Sequence, residues 1–156
     1  MLKKIRQFTA LDVEQKSVFV RAWFLLGWMR AAMLMVSFQR LSASLHHHRQ
    51  PVDSPTLHPR QLEQALSIGK LVAAAARCTP WQSRCLVQVL VVQRLLAKRN
   101  IPGQFYLGVR KEAEDGLEAE RLAAHAWLQC GHCIVNGAVG HDQFAVLSSY
   151  SWDQTE

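Results

Sequence analysis

The sequence predicts an α+β fold, in which helices come first and a small antiparallel sheet follows. The first half is rich in leucine, methionine, alanine and aromatic residues, whereas after residue 103 apolar residues alternate with a period of two. Because 49% of the residues are hydrophobic, a disordered chain is excluded. We expect one domain over residues 1–156: a hydrophobic helical segment (1–44), a loop (45–59) and a core (60–156).

Three helices are predicted in the first two thirds of the chain. The first covers residues 11–42, which contain no proline. The histidine- and proline-rich residues 45–59 form a loop, and a second helix follows over residues 60–77. A third helix is predicted over residues 83–99, with the Ser83 hydroxyl as its cap. Because it is apolar on nearly every face, we expect it to be central.

Four strands are predicted over residues 104–110, 122–130, 133–136 and 143–149. A two-residue turn at Gly131 and His132 would pair Cys130 with Cys133, and therefore Trp127 with Asn136.

The long apolar stretch at residues 18–38 has about the length of a membrane span. Arg21 and Arg30 would lie on opposite sides of this helix, which a spanning helix tolerates poorly. A buried or partner-docking helix is therefore expected, and attachment to a membrane surface is the less favoured alternative. Four cysteines without a secretory signal indicate free thiols in a reducing compartment, so we expect a cytoplasmic protein.

The formal net charge of +6 comes from basic residues that are scattered singly. No basic block of the kind that binds nucleic acid is present. Between Gln64 and Lys111 the chain has basic residues but no acidic one, which gives this segment a positive field. An acidic peptide or protein is the expected partner, and a set of solvated helix faces is the alternative.

A candidate nucleophile lies at the start of the predicted central helix. Cys85 falls in its first turn, where unpaired N–H groups and the helix dipole favour an anion, and Arg84 acts in the same direction. His125 lies on the second strand and shares its face with Trp127. In the predicted register Asn136 lies one diagonal step from His125 and would orient its imidazole. A buried structural cysteine and a structural histidine are the alternatives.

A zinc site is the main alternative to a catalytic site at Cys85 and His125. Cys130, His132, Cys133 and His141 are residue types that bind zinc, but the two cysteines flank a turn within a strand pattern. The triplet His46–His48 does not place its side chains on one helix face and has no carboxylate or cysteine nearby. We therefore predict no metal.

Four segments in combination resemble one known family. They are residues 80–86 (PWQSRCL), 93–102 (QRLLAKRNIP), 106–111 (YLGVRK) and 124–127 (AHAW). Together they resemble the leader peptidase of lasso-peptide biosynthesis, a cysteine peptidase family similar to transglutaminases and papain-like proteases. The resemblance covers residues 60–156 in detail and the hydrophobic first helix in character only.

The resemblance implies roles for individual residues. Cys85 matches the nucleophile and His125 the general base. Many relatives have an aspartate just after the strand that follows the histidine, but Gly137 stands at about that position here. Asn136 is the expected substitute, and Asp142 is the second choice.

An oxyanion-binding role is expected for Gln82, together with the N–H of Cys85.

The function implied is removal of the leader peptide from a lasso-peptide precursor. No cofactor is expected, because ATP in this pathway is used by the lasso cyclase. The expected partners are the precursor peptide, the cyclase and a separate leader-recognition protein, since we expect no recognition domain fused to this chain. The alternatives are a non-catalytic scaffold of the same pathway and a transglutaminase-like acyltransferase.

Overall fold

The computed structural model describes residues 12–49, 53, 55–112 and 121–152, and these residues have the predicted α+β order. The helices pack together on one face of a five-stranded antiparallel sheet. The elements in chain order are α1 (Val13–Met35), α2 (Phe38–Leu41), β1 (His46–His48), α3 (Pro59–Ala76), α4 (Cys85–Ala97), β2 (Gly103–Glu112), β3 (Arg121–Cys130), β4 (Cys133–Asn136), a 3-10 turn (His141–Gln143) and β5 (Ala145–Trp152).

The first helix begins at a reciprocal cap and ends earlier than expected. The Asp12 side chain accepts a hydrogen bond from the Gln15 amide, and the Gln15 side chain accepts one from the Asp12 amide. The prediction of one helix over residues 11–42 is wrong, because Val36 is extended and Ser37 precedes the short α2. A β-branched residue followed by a serine favours such a break.

Helix α1 packs on the protein along one side. It buries Val18, Ala22, Leu26 and Met29 in the core, at helical spacing. By length and composition alone it is also apolar enough to cross a membrane, a property that core helices and signal sequences share.

The sheet has the strand order β1-β5-β2-β3-β4. Its edge strand β1 lies within residues 45–59, so the prediction of a loop throughout this segment is wrong. His47 packs on the Tyr150 ring at 4.9 Å, and His48 Nε2 lies 2.7 Å from Ser151 Oγ. These contacts and the pairing with β5 outweigh the local turn signals.

Helix α4 is central, as predicted. Eight of its thirteen residues are buried, and it packs against β3 as well as against α1 and α3. Ala126 and Leu128 of β3 belong to the core shared with the helices. His125 and Trp127 alternate with them and therefore lie on the other face of the sheet.

The hairpin of β3 and β4 follows the predicted register only next to its turn. Cys130 pairs with Cys133 across Gly131 and His132, as predicted. Beyond this a bulge adds one residue to β4, so that Asn136 pairs with Leu128. The predicted pairing of Asn136 with Trp127 is therefore wrong, because a bulge shifts every later partner by one residue.

Candidate active site

Hydrogen bonds of one threonine side chain stabilise the loop before Cys85, residues 77–84. Thr79 Oγ1 lies 2.8 Å from the carbonyl oxygens of Ala76 and Trp81, and 3.1 Å from Ser83 Oγ. Ser83 therefore contacts Thr79 and does not cap α4, which begins at Cys85 without any side-chain cap. The first-turn N–H groups of α4 are left available to an anion at Cys85.

Two side chains of helix α1 donate hydrogen bonds to backbone carbonyls of the same loop. Trp23 Nε1 donates to the Cys78 carbonyl at 3.4 Å, and Arg30 donates to the Gln82 carbonyl at 2.6 Å. The Gln82 side chain is exposed and forms no hydrogen bond with the described residues, so its oxyanion role stays a prediction.

The Cys85 side chain is half-buried and packs against the core. Its thiol forms no hydrogen bond within the described part of the chain, whereas Cys78, seven residues earlier, is exposed. The nucleophile predicted from the sequence therefore lies at the boundary between core and solvent.

His125 is oriented by a backbone carbonyl. Its Nε2 lies 2.8 Å from the Gly137 carbonyl oxygen. Because a carbonyl can only accept, Nε2 carries the proton and the neutral ring keeps Nδ1 as an acceptor. This is the tautomer that a general base needs if Nδ1 is to take a proton from a thiol.

Aromatic side chains surround the imidazole on this face of the sheet. The His125 ring lies 5.1 Å from the Phe144 ring and 5.9 Å from the Trp127 ring. Trp127 stacks in turn on Tyr106 at 5.5 Å, and the Arg110 guanidinium lies 4.9 Å from the centre of Phe144. Tyr106 and Phe144 were missed at the sequence level, although Tyr106 pairs directly with Trp127.

Neither predicted third residue makes a hydrogen bond to His125. Asn136 is buried beside Leu128, and Asp142 is exposed in the 3-10 turn. Gly137 has a φ of 75°, and a Cβ there would lie 2.5 Å from the Ala126 carbonyl oxygen. The position at which the resemblance leads one to expect an aspartate therefore has no room for a side chain.

Cys85 and His125 are not in hydrogen-bond contact with each other. Cys85 packs on the helix side of the sheet, and the His125 ring lies on the opposite side.

The four residues of the alternative zinc site, Cys130, His132, Cys133 and His141, do not form one group in the structure. Cys130 is buried on the core side, where burial and the neighbouring Cys133 raise its pKa to about 12. The His141 ring packs on Trp127, and its Nδ1 lies 2.7 Å from the Ala138 carbonyl. Among the described residues, no three His, Cys, Asp or Glu side chains form a group able to hold a metal.

The sequence pattern of the transglutaminase-like superfamily matches residues 29–149, which is more than half of the chain and includes both Cys85 and His125. No curated protein and no solved structure matches the chain. The order of helices followed by an antiparallel sheet agrees with the superfamily match. The chain therefore belongs to the transglutaminase-like superfamily.

Proposed function

We propose that this chain is a cysteine peptidase that removes the leader from a lasso-peptide precursor, with Cys85 as nucleophile and His125 as base. Superfamily membership supports thiol-based acyl chemistry, and the four motif segments support this pathway. The observation that carries the proposal is the hydrogen bond from His125 Nε2 to the Gly137 carbonyl, since it leaves Nδ1 free to accept a proton.

In the proposed reaction, His125 Nδ1 takes the proton of the Cys85 thiol as sulfur attacks the carbonyl carbon of the scissile bond. The imidazolium then gives that proton to the leaving amine as the C–N bond breaks, which leaves a thioester on Cys85. Water, deprotonated by His125, hydrolyses the thioester and restores the thiol. The N–H of Cys85 and the Gln82 amide would stabilise the oxyanion.

The substrate must reach both groups, which lie on opposite sides of β3. Strand β4 pairs only with residues 128–130 of β3, so within the described ranges residues 122–126 have no strand beside them on that side. Gly137 already lies against the Ala126 carbonyl, so a peptide added to β3 would run beside residues 122–125 and close to the imidazole. In the proposal, the same peptide also contacts the thiol. For His125 to take the thiol proton, the two groups must come within hydrogen-bond distance when the substrate binds, and this rearrangement is part of the proposal.

The proposal includes partners and a location. We expect a separate leader-recognition protein to present the precursor, the lasso cyclase to use the released amine, and the reaction to take place in the cytoplasm without a cofactor in this chain.

Two other functions are favoured by specific observations. The superfamily match equally supports transfer of the acyl group from Cys85 to an amine. The missing hydrogen bond between Cys85 and His125 favours a scaffold that binds the precursor without cutting it.

One experiment separates these functions. The chain is incubated with the precursor and the leader-recognition protein, with and without a primary amine such as cadaverine, and the products are weighed by mass spectrometry. A peptidase gives leader and core peptide with free ends in both mixtures. An acyltransferase adds the mass of cadaverine, and intact precursor in both mixtures contradicts the proposal.

A further inference from the structure

Helix α1 carries an apolar stripe that faces away from the core. Val13, Val20, Phe24, Trp28 and Met35 follow one another at intervals of seven, four, four and seven residues and are between 44% and 85% exposed. This spacing places them on one side of the helix. An apolar surface of this length in a globular domain marks an interaction site.

A basic groove runs along this stripe, between α1 and the end of α4. Its cavity volume is about 620 Å³, and Phe24 and Leu95 contribute to its apolar wall. Arg21, Lys98 and Arg99 line it as well, and none of its lining residues is acidic. Among the described residues, no carboxylate forms an ion pair with any of these three cations.

Three occupants have the apolar character that this surface requires. A second copy packed through the same groove about a two-fold axis would bring Arg21 and Lys98 close to the same residues of its partner, which is unfavourable. A membrane surface is flat on this scale, whereas the groove is concave, and a second cavity of about 300 Å³ lies beside Gly27 and Trp81. We propose that the basic groove binds an amphipathic helix of a partner protein, with acidic residues beside its apolar stripe.

Such a partner would contact the helix that supports the proposed nucleophile. Arg30 and Trp23 of α1 hold the loop before Cys85 through the Gln82 and Cys78 carbonyls. A helix seated on α1 would therefore steady this loop and increase peptide cleavage. This consequence, unlike the binding itself, rests on the proposed function.

The binding is tested with two synthetic helical peptides that share an apolar i, i+3, i+4, i+7 stripe. One has glutamates beside the stripe and the other has lysines at the same positions. In fluorescence anisotropy with the full chain, we expect the acidic peptide to bind at least about tenfold more tightly, and added salt to reduce this difference. Phe24→Glu should weaken binding about tenfold or more, whereas Val139→Glu, at a 93% exposed site elsewhere, should not.

A charge inversion completes the test. The double variant Arg21→Glu, Lys98→Glu should prefer the lysine peptide, and circular dichroism should show an unchanged fold. Equal binding of both peptides, sedimentation of the free chain as a dimer, or flotation with phosphatidylglycerol vesicles in place of peptide binding would overturn the proposal. Cys85→Ala should bind the acidic peptide normally, so loss of cleavage with intact binding concerns only the proposed function.

Discussion

His125 Nε2 lies 2.8 Å from the carbonyl oxygen of Gly137, a residue whose φ of 75° turns the chain at the end of β4. The orienting group of the candidate site is thus part of the backbone. A side-chain substitution cannot remove it, but a change in the path of the backbone can.

Gly137→Ala should displace this carbonyl, because the added Cβ would collide with the Ala126 carbonyl oxygen and positive φ disfavours alanine. We expect cleavage to fall roughly 10- to 100-fold, by analogy with the loss of other orienting groups. Two-bond ¹⁵N–¹H correlations should show that His125 no longer has a single Nε2–H tautomer. Gly137→Asp should not restore the rate, since its Cβ meets the same oxygen. Full activity in either variant would contradict the role of the carbonyl.

Asn136→Ala and Asp142→Ala test the two residues that the sequence suggested as orienters. Neither side chain is hydrogen-bonded to His125, so we expect each substitution to change the cleavage rate less than about threefold. The rate is measured by following precursor and products by mass spectrometry, with His125→Ala as the inactive reference. A loss of tenfold or more in Asp142→Ala would return the role to the loop carboxylate.

Cys85→Ala should abolish leader removal while the fold is retained, because the thiol supplies the attacking sulfur. Cys78→Ala and Cys133→Ala should keep the activity, since neither residue begins a long helix. Mass spectrometry of the products gives the activities, and circular dichroism controls for folding. Equal loss in all three variants would indicate that the cysteines have a structural role.

The sequence predicted the structure best where a local pattern of residues alone determines a helix or a strand pairing. Apolar residues on nearly every face of helix α4 predicted its central position, and the turn at Gly131 predicted the pairing of Cys130 with Cys133. The bulge before Asn136 was not predicted, because the turn fixes the register only as long as the two strands pair without an extra residue. The acceptor of His125 was not predicted either, because a backbone carbonyl leaves no signal in the side-chain pattern.

The contact of Gly69 with Val135 should affect the candidate site through β4. Gly69 lies on α3 against β4, and a Cβ at this position would lie 2.7 Å from Val135 Cγ1 and closer still to the Val135 carbonyl oxygen. Alanine favours a helix by about 1 kcal/mol relative to glycine, so Gly69→Ala would stabilise an open helix face. Here the collision should dominate and lower the free energy of unfolding by about 2 kcal/mol, as overpacking does.

Urea denaturation measures the effect of Gly69→Ala, and the nearby Ser67→Ala serves as control, with an expected change within about 0.5 kcal/mol. The movement of β4 should also weaken the hydrogen bond between His125 and Gly137, which the same ¹⁵N–¹H correlations would report. An unchanged or increased stability would show that β4 does not pack as closely on α3 as described.

Cys130 predicts how stability depends on pH. Burial, and then the neighbouring Cys133, raise its pKa to about 12 in the folded protein, whereas an unfolded thiol titrates near about 8.5. Between these values the unfolded chain loses a proton that the folded chain keeps, so the unfolded state binds fewer protons and stability falls as pH rises. We expect the free energy of unfolding to be insensitive to this group below pH 8 and to fall by up to about 1.4 kcal/mol per pH unit above about pH 9.

Urea denaturation at pH 8 and pH 10 measures the slope of the free energy of unfolding against pH. Cys130→Ala should be less stable at pH 8 because of the cavity it leaves, yet should lose much of the slope, whereas Cys78→Ala, at an exposed site, should retain it. If Cys130→Ala keeps the full slope, the lysines and tyrosines that titrate in this range account for it, and the Cys130 thiol does not.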